Sequence, residues 1–256
     1  MFKAVVFDWA GTMIDFGSFA PMGAFVETFV EFDIEVSVDE ARLPMGLPKW
    51  HHIAAMLRQT AISARWKKKY GTQPTDLDVD KVYKVFVPKN EEVAAKYATL
   101  VPGAVNTVNY LRNKGLKIGS TTGYTRSIMN HVLPVAEAQG YVPDNLVCSD
   151  DLAEGRPGPL GMYKCFLDLG VYPPSAVIKV DDTEPGIGEG AAAGCVTVGV
   201  SISGNYVGRT PDELALLSMD ELDELRNMAT EKLRDAGADY VIDTVADLPD
   251  LIERLN

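Results

Sequence analysis

Four short segments carry side chains that together could move a phosphoryl group. They are Phe7-Asp8-Trp9-Ala10-Gly11-Thr12, Ser120-Thr121-Thr122-Gly123, Gly155-Arg156-Pro157 and Val180-Asp181-Asp182-Thr183. They supply a carboxylate able to act as nucleophile, a hydroxyl beside exposed backbone N–H groups, a cation, and an acidic pair that could hold Mg2+ through hard oxygen ligands. Each has an ordinary explanation when taken singly. An Asp at a strand end is commonly a turn or cap residue, and a lone arginine is commonly surface. Four in order, each following a predicted strand, point to one site.

A fifth segment, Pro44-Met45-Gly46-Leu47-Pro48-Lys49-Trp50-His51-His52, places an amine at the start of a predicted helix. Met45, Leu47 and Trp50 are apolar and would lower the pKa of Lys49 by desolvation, and the polarity of a helix N-terminus disfavours an ammonium in the same direction. His52 could shuttle protons. A neutral amine can form an imine with a carbonyl substrate. A lysine on a helix is otherwise a solvated surface residue, and the local sequence leaves both open.

The elements that must position these residues follow from hydrophobic periodicity. Short β-branched runs at 3–7, 116–121, 145–148, 177–180, 195–198 and 239–242 alternate with helical stretches, which predicts an α/β fold: a Rossmann-like parallel sheet with helices on both faces. Between the first two strands, residues 22–97 are helical in pattern, with Phe25, Phe29 and Phe32 at i, i+4, i+7 and Ile53, Met56 and Leu57 at i, i+3, i+4. That span far exceeds a normal βα crossover, so an inserted all-helical cap is expected over the sheet's carboxyl edge. The expected division is 1–18 and 98–256 for the core domain and 19–97 for the cap.

Ligands of open parallel sheets bind where the strands' carboxyl ends point, which is where the first four segments fall. The net charge of −12 argues against nucleic acid, so an anionic substrate must be held by a local cluster of cations or metal. No apolar run approaches the roughly 18 residues of a membrane span, and the β-rich stretch begins too early for a signal peptide, so a cytoplasmic location is expected. Cys148, Cys165 and Cys195 form no CxxC pair and read as core thiols. The Trp66-Lys67-Lys68-Lys69 run reads as a solvated helix face, and His131 as a helix residue without a role.

The order Asp8, Thr122, Arg156, Asp181-Asp182 resembles the four-motif signature of the haloacid dehalogenase superfamily. That resemblance implies that Asp8 is phosphorylated, Thr122 and Gly123 contact the phosphoryl group, Arg156 takes the motif-three cation's place, and Mg2+ is held by Asp8, Asp182 and the backbone carbonyl of Ala10. Most phosphatases of the superfamily carry a second Asp two residues after the nucleophile, as general acid for an alkoxide leaving group. Here that position is Ala10, which suggests a leaving group that is not an alkoxide; its loss from a C–O phosphatase would lower the rate by about 10²–10⁴-fold.

Within the superfamily, the segments around Asp8, Met45–Lys49, Ile118–Thr125 and Gly155–Pro157 are similar to those of the phosphonoacetaldehyde hydrolase (phosphonatase) family, a likeness that runs nearly end to end. It implies a small phosphonate substrate, a Schiff base on Lys49 with Met45, Gly46, His52 and Tyr124 in support, and a homodimer. Gly186 departs from the family's GDxxxD pattern, which puts an Asp there; the outer-shell contact would then come from Asp181, Glu184 or water. The alternatives are a C–O sugar-phosphate phosphatase or phosphomutase of the same fold, with Lys49 a plain phosphate contact, and a catalytically dead phosphate-binding module.

Overall fold

The computed structural model describes residues 1–45 and 47–255. The chain runs β1 (Ala4–Phe7), then α1 (Ala20–Val30), α2 (Val38–Arg42), α3 (Lys49–Arg58), α4 (Thr60–Tyr70), α5 (Asp76–Lys96) and α6 (Ala104–Asn113) before returning to β2 (Lys117–Ser120). It continues through α7 (Arg126–Ala138), α8 (Leu160–Leu169), β3 (Val177–Asp181), α9 (Glu184–Ala193), β4 (Val196–Val200), α10 (Pro211–Ala215), α11 (Met219–Asp235), β5 (Tyr240–Ile242) and α12 (Leu248–Leu255).

The five strands form one sheet in the order β2-β1-β3-β4-β5, with every neighbouring pair parallel. The strands can be nearly continuous apolar runs because helices cover both faces. On one face Val5, Phe7, Ile118, Ile178 and Val180 pack with Val108 and Leu111 of α6, Ile128 and Val132 of α7, and Leu251 and Ile252 of α12. On the other, Ala4, Val6 and Val177 meet Met162, Cys165 and Leu169 of α8. The chain reverses its direction of travel across the sheet at β1, with β2 on one side and β3 on the other. The crevice at such a switch point, outside the carboxyl ends of β1 and β3, is where this architecture binds ligands.

Residues 145–148, expected as a strand, form none. They touch the sheet through a single parallel bridge between Val147 and Thr121. The physical reason lies in Asp144 and Asn145: their side chains accept the Ile118 N–H (2.7 Å) and the Ser120 N–H (3.2 Å), occupying two donors that a sixth strand would need. The segment still caps the edge of β2, with Val147 N donating to Ser120 O at 2.9 Å.

Helices α1 to α5 form the cap, which has its own apolar centre of Met22, Phe25, Phe29, Ile53, Met56, Leu57, Trp66 and Phe86. Phe25 lies between His52 and Phe86, with ring centroids 4.1 and 4.3 Å away. Helix α2 starts at a reciprocal capping box, in which Ser37 and Glu40 satisfy each other's backbone N–H. Phe86 is fully buried and remote from the sheet. Truncating Phe86→Ala should destabilise the protein by about 3–5 kcal/mol, read from the urea midpoint; a loss below about 1 kcal/mol would mean that this centre is not close-packed.

Candidate active site

Strand β1 delivers Asp8 directly into the crevice, where it is 5% exposed and its N–H donates to Val180 O at 3.0 Å. The loop that follows turns tightly at Gly11, whose φ of +83° suits glycine. A Cβ at Gly11 would stand 2.1 Å from Asp182 Oδ2, so only a bare backbone can pass there. Asp182, just after β3, is fully buried; its Oδ2 accepts the Asn205 N–H at 2.7 Å, and Thr12 Oγ1 lies 3.4 Å from its Oδ1. Oxygens of Asp8, Asp181 and Asp182 all lie within 4.8 Å of one another.

Two buried cations face this acidic group. Arg156 NH1 is 2.8 Å from Asp8 Oδ1, its Nε is 3.1 Å from Glu189 Oε2, and its NH2 is 3.4 Å from Asp181 Oδ2. Lys179, buried inside β3, lies 3.0 Å from Asp181 Oδ2 and 3.3 Å from Glu189 Oε2. The Thr121 hydroxyl donates to Glu189 (2.8 Å) and accepts from Arg156 NH2 (2.9 Å) and Lys179 Nζ (2.6 Å). Sequence reasoning had not singled out Lys179, Glu189 or Thr121. The signal for Lys179 was present: a lysine inside Val177-Ile178-Lys179-Val180, a run otherwise fit for a doubly covered strand, must find an anionic partner when buried.

The electrostatic consequences diverge between neighbours. Burial, reinforced by Asp181, pushes Asp8 up to about 6, against the pull of Arg156 and Lys179. Burial together with Asp8 and Asp181 pushes Asp182 well above the carboxylate range. Burial would raise Asp181 too, but Arg156 and Lys179 outweigh it and hold this carboxyl below its usual value.

The cap brings Lys49, the first residue of α3, over the same crevice, where it is 5% exposed. Lys49, Met45, Asp8, Ala10, Thr122, Gly123, Tyr124 and Arg156 line one cavity of about 30 Å3. Burial pulls the amine down to about 8, with Arg156 acting in the same direction and Asp8 against it. The aromatic cover is Phe25 and Tyr124, whose ring centroids lie 5.8 and 5.3 Å from Nζ. Trp50, expected in that cover, instead donates its indole N–H to Asp80 at 2.8 Å: next to Lys49 on a helix, it points about 100° away around the axis.

His52 is fully buried, with Nε2 2.8 Å from Ala41 O. A carbonyl can only accept, so Nε2 carries the proton and Nδ1, which has no hydrogen-bond partner among the described residues, presents a lone pair. Burial and the nearby Lys49 keep the ring's pKa well below the ordinary histidine value. The Thr122 hydroxyl accepts the Tyr124 N–H at 3.0 Å, leaving its own proton free to donate into the cavity. Gly46 lies outside the described residues.

Of the residues that could supply the contact expected of an Asp at 186, Glu184 is exposed whereas Asp181 sits within the acidic group. A Cβ at Gly186 would be 2.0 Å from the Asp181 carboxyl carbon. A side chain at 186 and the Asp181 carboxylate therefore compete for the same space.

This arrangement matches known proteins. The family model for haloacid dehalogenase-like hydrolases covers residues 2–194, and the chain belongs to that family. Within it, the chain is 52% identical over 246 residues to a phosphonoacetaldehyde hydrolase of Paraburkholderia xenovorans, covering 96% of this chain and 92% of the relative. It is 46% identical to a phosphonoacetaldehyde hydrolase of Klebsiella pneumoniae, covering 99% and 95%. The crystal structure of a phosphonoacetaldehyde hydrolase-like protein from Oleispira antarctica superposes with a TM-score of 0.97 at 42% identity, covering 99% of this chain and 92% of that one. The protein is thus an enzyme, a hydrolase of this family.

The depressed amine makes a thermodynamic prediction. Its folded pKa of about 8 lies below the ordinary 10.5, so the unfolded chain binds more protons between those values and stability should rise with pH across that window. Lys49→Met, similar in length but uncharged, should stabilise the protein by up to about 3 kcal/mol at pH 7, with the gain shrinking from about pH 8 upward. Melting curves over that range check this; a difference independent of pH would show that the folded state does not lower the amine's pKa.

Proposed function

We propose that this enzyme hydrolyses the carbon–phosphorus bond of phosphonoacetaldehyde to acetaldehyde and phosphate. One observation carries the reading: the buried Lys49 amine lines the same cavity as the Asp8 carboxylate, while the position that would hold an acid for an oxygen leaving group is Ala10. The identity to phosphonoacetaldehyde hydrolases supports it. We assign 1–18 and 98–256 to the core domain and 19–97 to the cap, in keeping with the separate apolar centre of helices α1 to α5.

The reaction divides between the two domains. Neutral Lys49 adds to the aldehyde carbonyl and expels water, giving an imine β to phosphorus; His52, held uncharged by burial and by Lys49, adds no second positive charge near the amine. Lowering the amine from 10.5 to about 8 raises its neutral fraction at pH 7, by about 300-fold. Asp8 then attacks phosphorus in line. The electron pair of the breaking C–P bond moves toward the imine nitrogen and forms an enamine, which takes a proton on carbon. Water hydrolyses the imine to acetaldehyde and the aspartyl phosphate to inorganic phosphate, restoring Lys49 and Asp8.

Arg156, anchored by Glu189 and Thr121, orients Asp8 through its NH1 and offers charge to the phosphoryl oxygens, and the Thr122 hydroxyl and the backbone at Gly123 add donors. The donor set suits Mg2+: oxygens of Asp8, Asp181 and Asp182 lie within 4.8 Å of one another, and the raised pKa of Asp8 and Asp182 marks carboxylates short of positive charge, which a hard divalent ion among oxygens would supply. Asp8, Asp182 and the Ala10 carbonyl would hold the ion, which when bound offsets the charge between the Asp8 carboxylate and the phosphonate. We infer a homodimer from the family likeness, and a cytoplasmic location from the three buried, unpaired cysteines.

With phosphonoacetaldehyde and Mg2+, acetaldehyde and phosphate should appear in equal amounts, and C–O monoesters should turn over poorly. Borohydride added during turnover should leave a two-carbon adduct on Lys49. In Asp8→Asn that adduct should persist while phosphate release falls by at least about 10³-fold. Active enzyme without any adduct on Lys49 would remove the imine step. The rate of adduct formation should climb as pH rises through about 8 and then level, because only the neutral amine reacts.

A further inference from the structure

The space between Asp8 and Lys49 is small, about 30 Å3, and is walled by residues of both cap and core. Lys49 and Met45 enter that space from the cap and Asp8, Thr122 and Arg156 from the core, so the reach of the amine toward Asp8 is set by how the cap sits on the core.

One set of contacts between cap and core centres on Arg42, at the end of cap helix α2. Its NH1 donates to Gly17 O at 2.7 Å and Ser18 O at 3.3 Å, and to both Asn205 O and Asn205 Oδ1 at 3.2 Å. Asn205 is the residue whose N–H holds Asp182 Oδ2. Gly17 and Ser18 lie in the connection between β1 and α1, where Asp15, Gly17 and Ser18 have φ of +55°, +89° and +55°. Two non-glycine residues held in the left-handed region mark a connection whose shape is imposed by surrounding contacts. Asp15 supplies one, accepting the N–H groups of Phe19 (3.0 Å) and Ala20 (2.8 Å). Arg42 supplies the other, while its guanidinium lies 5.3 Å from the Phe19 ring centroid. The fit around it is close, since a Cβ at Gly208 would stand 2.8 Å from Arg42 Cζ.

We propose that Arg42 is a positioning residue, a latch that fixes the cap in its closed place by clamping the 15–18 connection to the Asn205 loop and so holds Lys49 over Asp8. One nitrogen, NH1, reaches carbonyls from two separate loops, while NH2 is buried without a hydrogen-bond partner among the described residues. The latch sits on the seam: Arg42 and Asn205 line a groove of about 500 Å3, and Met45 lines both the inner cavity and a contiguous groove of about 420 Å3. Loosening the clamp opens the route from that groove to the phosphoryl site. The inference deepens the proposed reaction, yet its test needs no substrate.

The test is acylation of lysine amines in the intact protein without substrate, followed residue by residue by mass spectrometry. Arg42→Met keeps an apolar stem on Phe19 but removes the clamp; Lys49 should then react at least about tenfold faster, while Lys179, buried in the core sheet, stays protected. Arg42→Lys, which keeps the charge on a shorter side chain, should fall between wild type and Arg42→Met, and remains informative should Arg42→Met fold poorly. An unchanged Lys49 rate in either folded variant overturns the latch. So does a joint rise at Lys49 and Lys179, which would report general loosening. Because no phosphonate is present, failure of the C–P assay would leave this result unaffected.

Discussion

Crowding three carboxylates at the ends of β1 and β3 is the constraint on which the rest of the structure depends. Asp8, Asp181 and Asp182 would repel one another in a dry crevice, and the fold answers by running two cations beneath them. Removing one member of such a buried network leaves an uncompensated charge, which costs about 3–5 kcal/mol. The network therefore sets the shape of the crevice as well as its chemistry. It commits a lysine to the middle of an apolar strand, a glutamate to a glycine-rich helix, and glycines at 11 and 186 to give the carboxylates room.

The same electrostatic arrangement separates two tasks that would interfere in a single domain. The core must hold anions, and its cations are tied up in doing so. An amine placed permanently among those carboxylates would remain an ammonium, which cannot take part in the proposed imine step. Carrying it on the cap, beside Phe25 and Tyr124, makes burial the dominant influence and raises the neutral fraction of the amine. Division of labour between a charged floor and an apolar lid thus explains why the chain inserts five helices between its first two strands. It also explains why the seam between them needs ties such as Arg42 that are strong in geometry and still reversible.

Much of this was legible in the residues themselves. Five of the six runs expected as strands are strands to within two residues, the long helical interval marked the cap, and the order of Asp8, Thr122, Arg156 and Asp182 pointed to the crevice. Lys49 could be suspected from its place at a helix start, but its burial could not be read, because desolvation depends on which residues cover it. Trp50, adjacent in sequence, turns away to Asp80, whereas Phe25 and Tyr124, distant in sequence, provide the cover.

What the sequence determined alone was periodicity and chemical type: which segments form strands and helices, and which functional groups stand at their ends. These are local properties, set by backbone preference and side-chain alternation. Tertiary structure alone decided how 145–148 meets the sheet, since the side chains of Asp144 and Asn145 outcompete backbone pairing there. It alone paired Lys179 with Glu189 and Arg42 with Asn205, residues brought together from separate elements. Charge balance and desolvation are sums over neighbours in space, and a linear sequence does not say who those neighbours are.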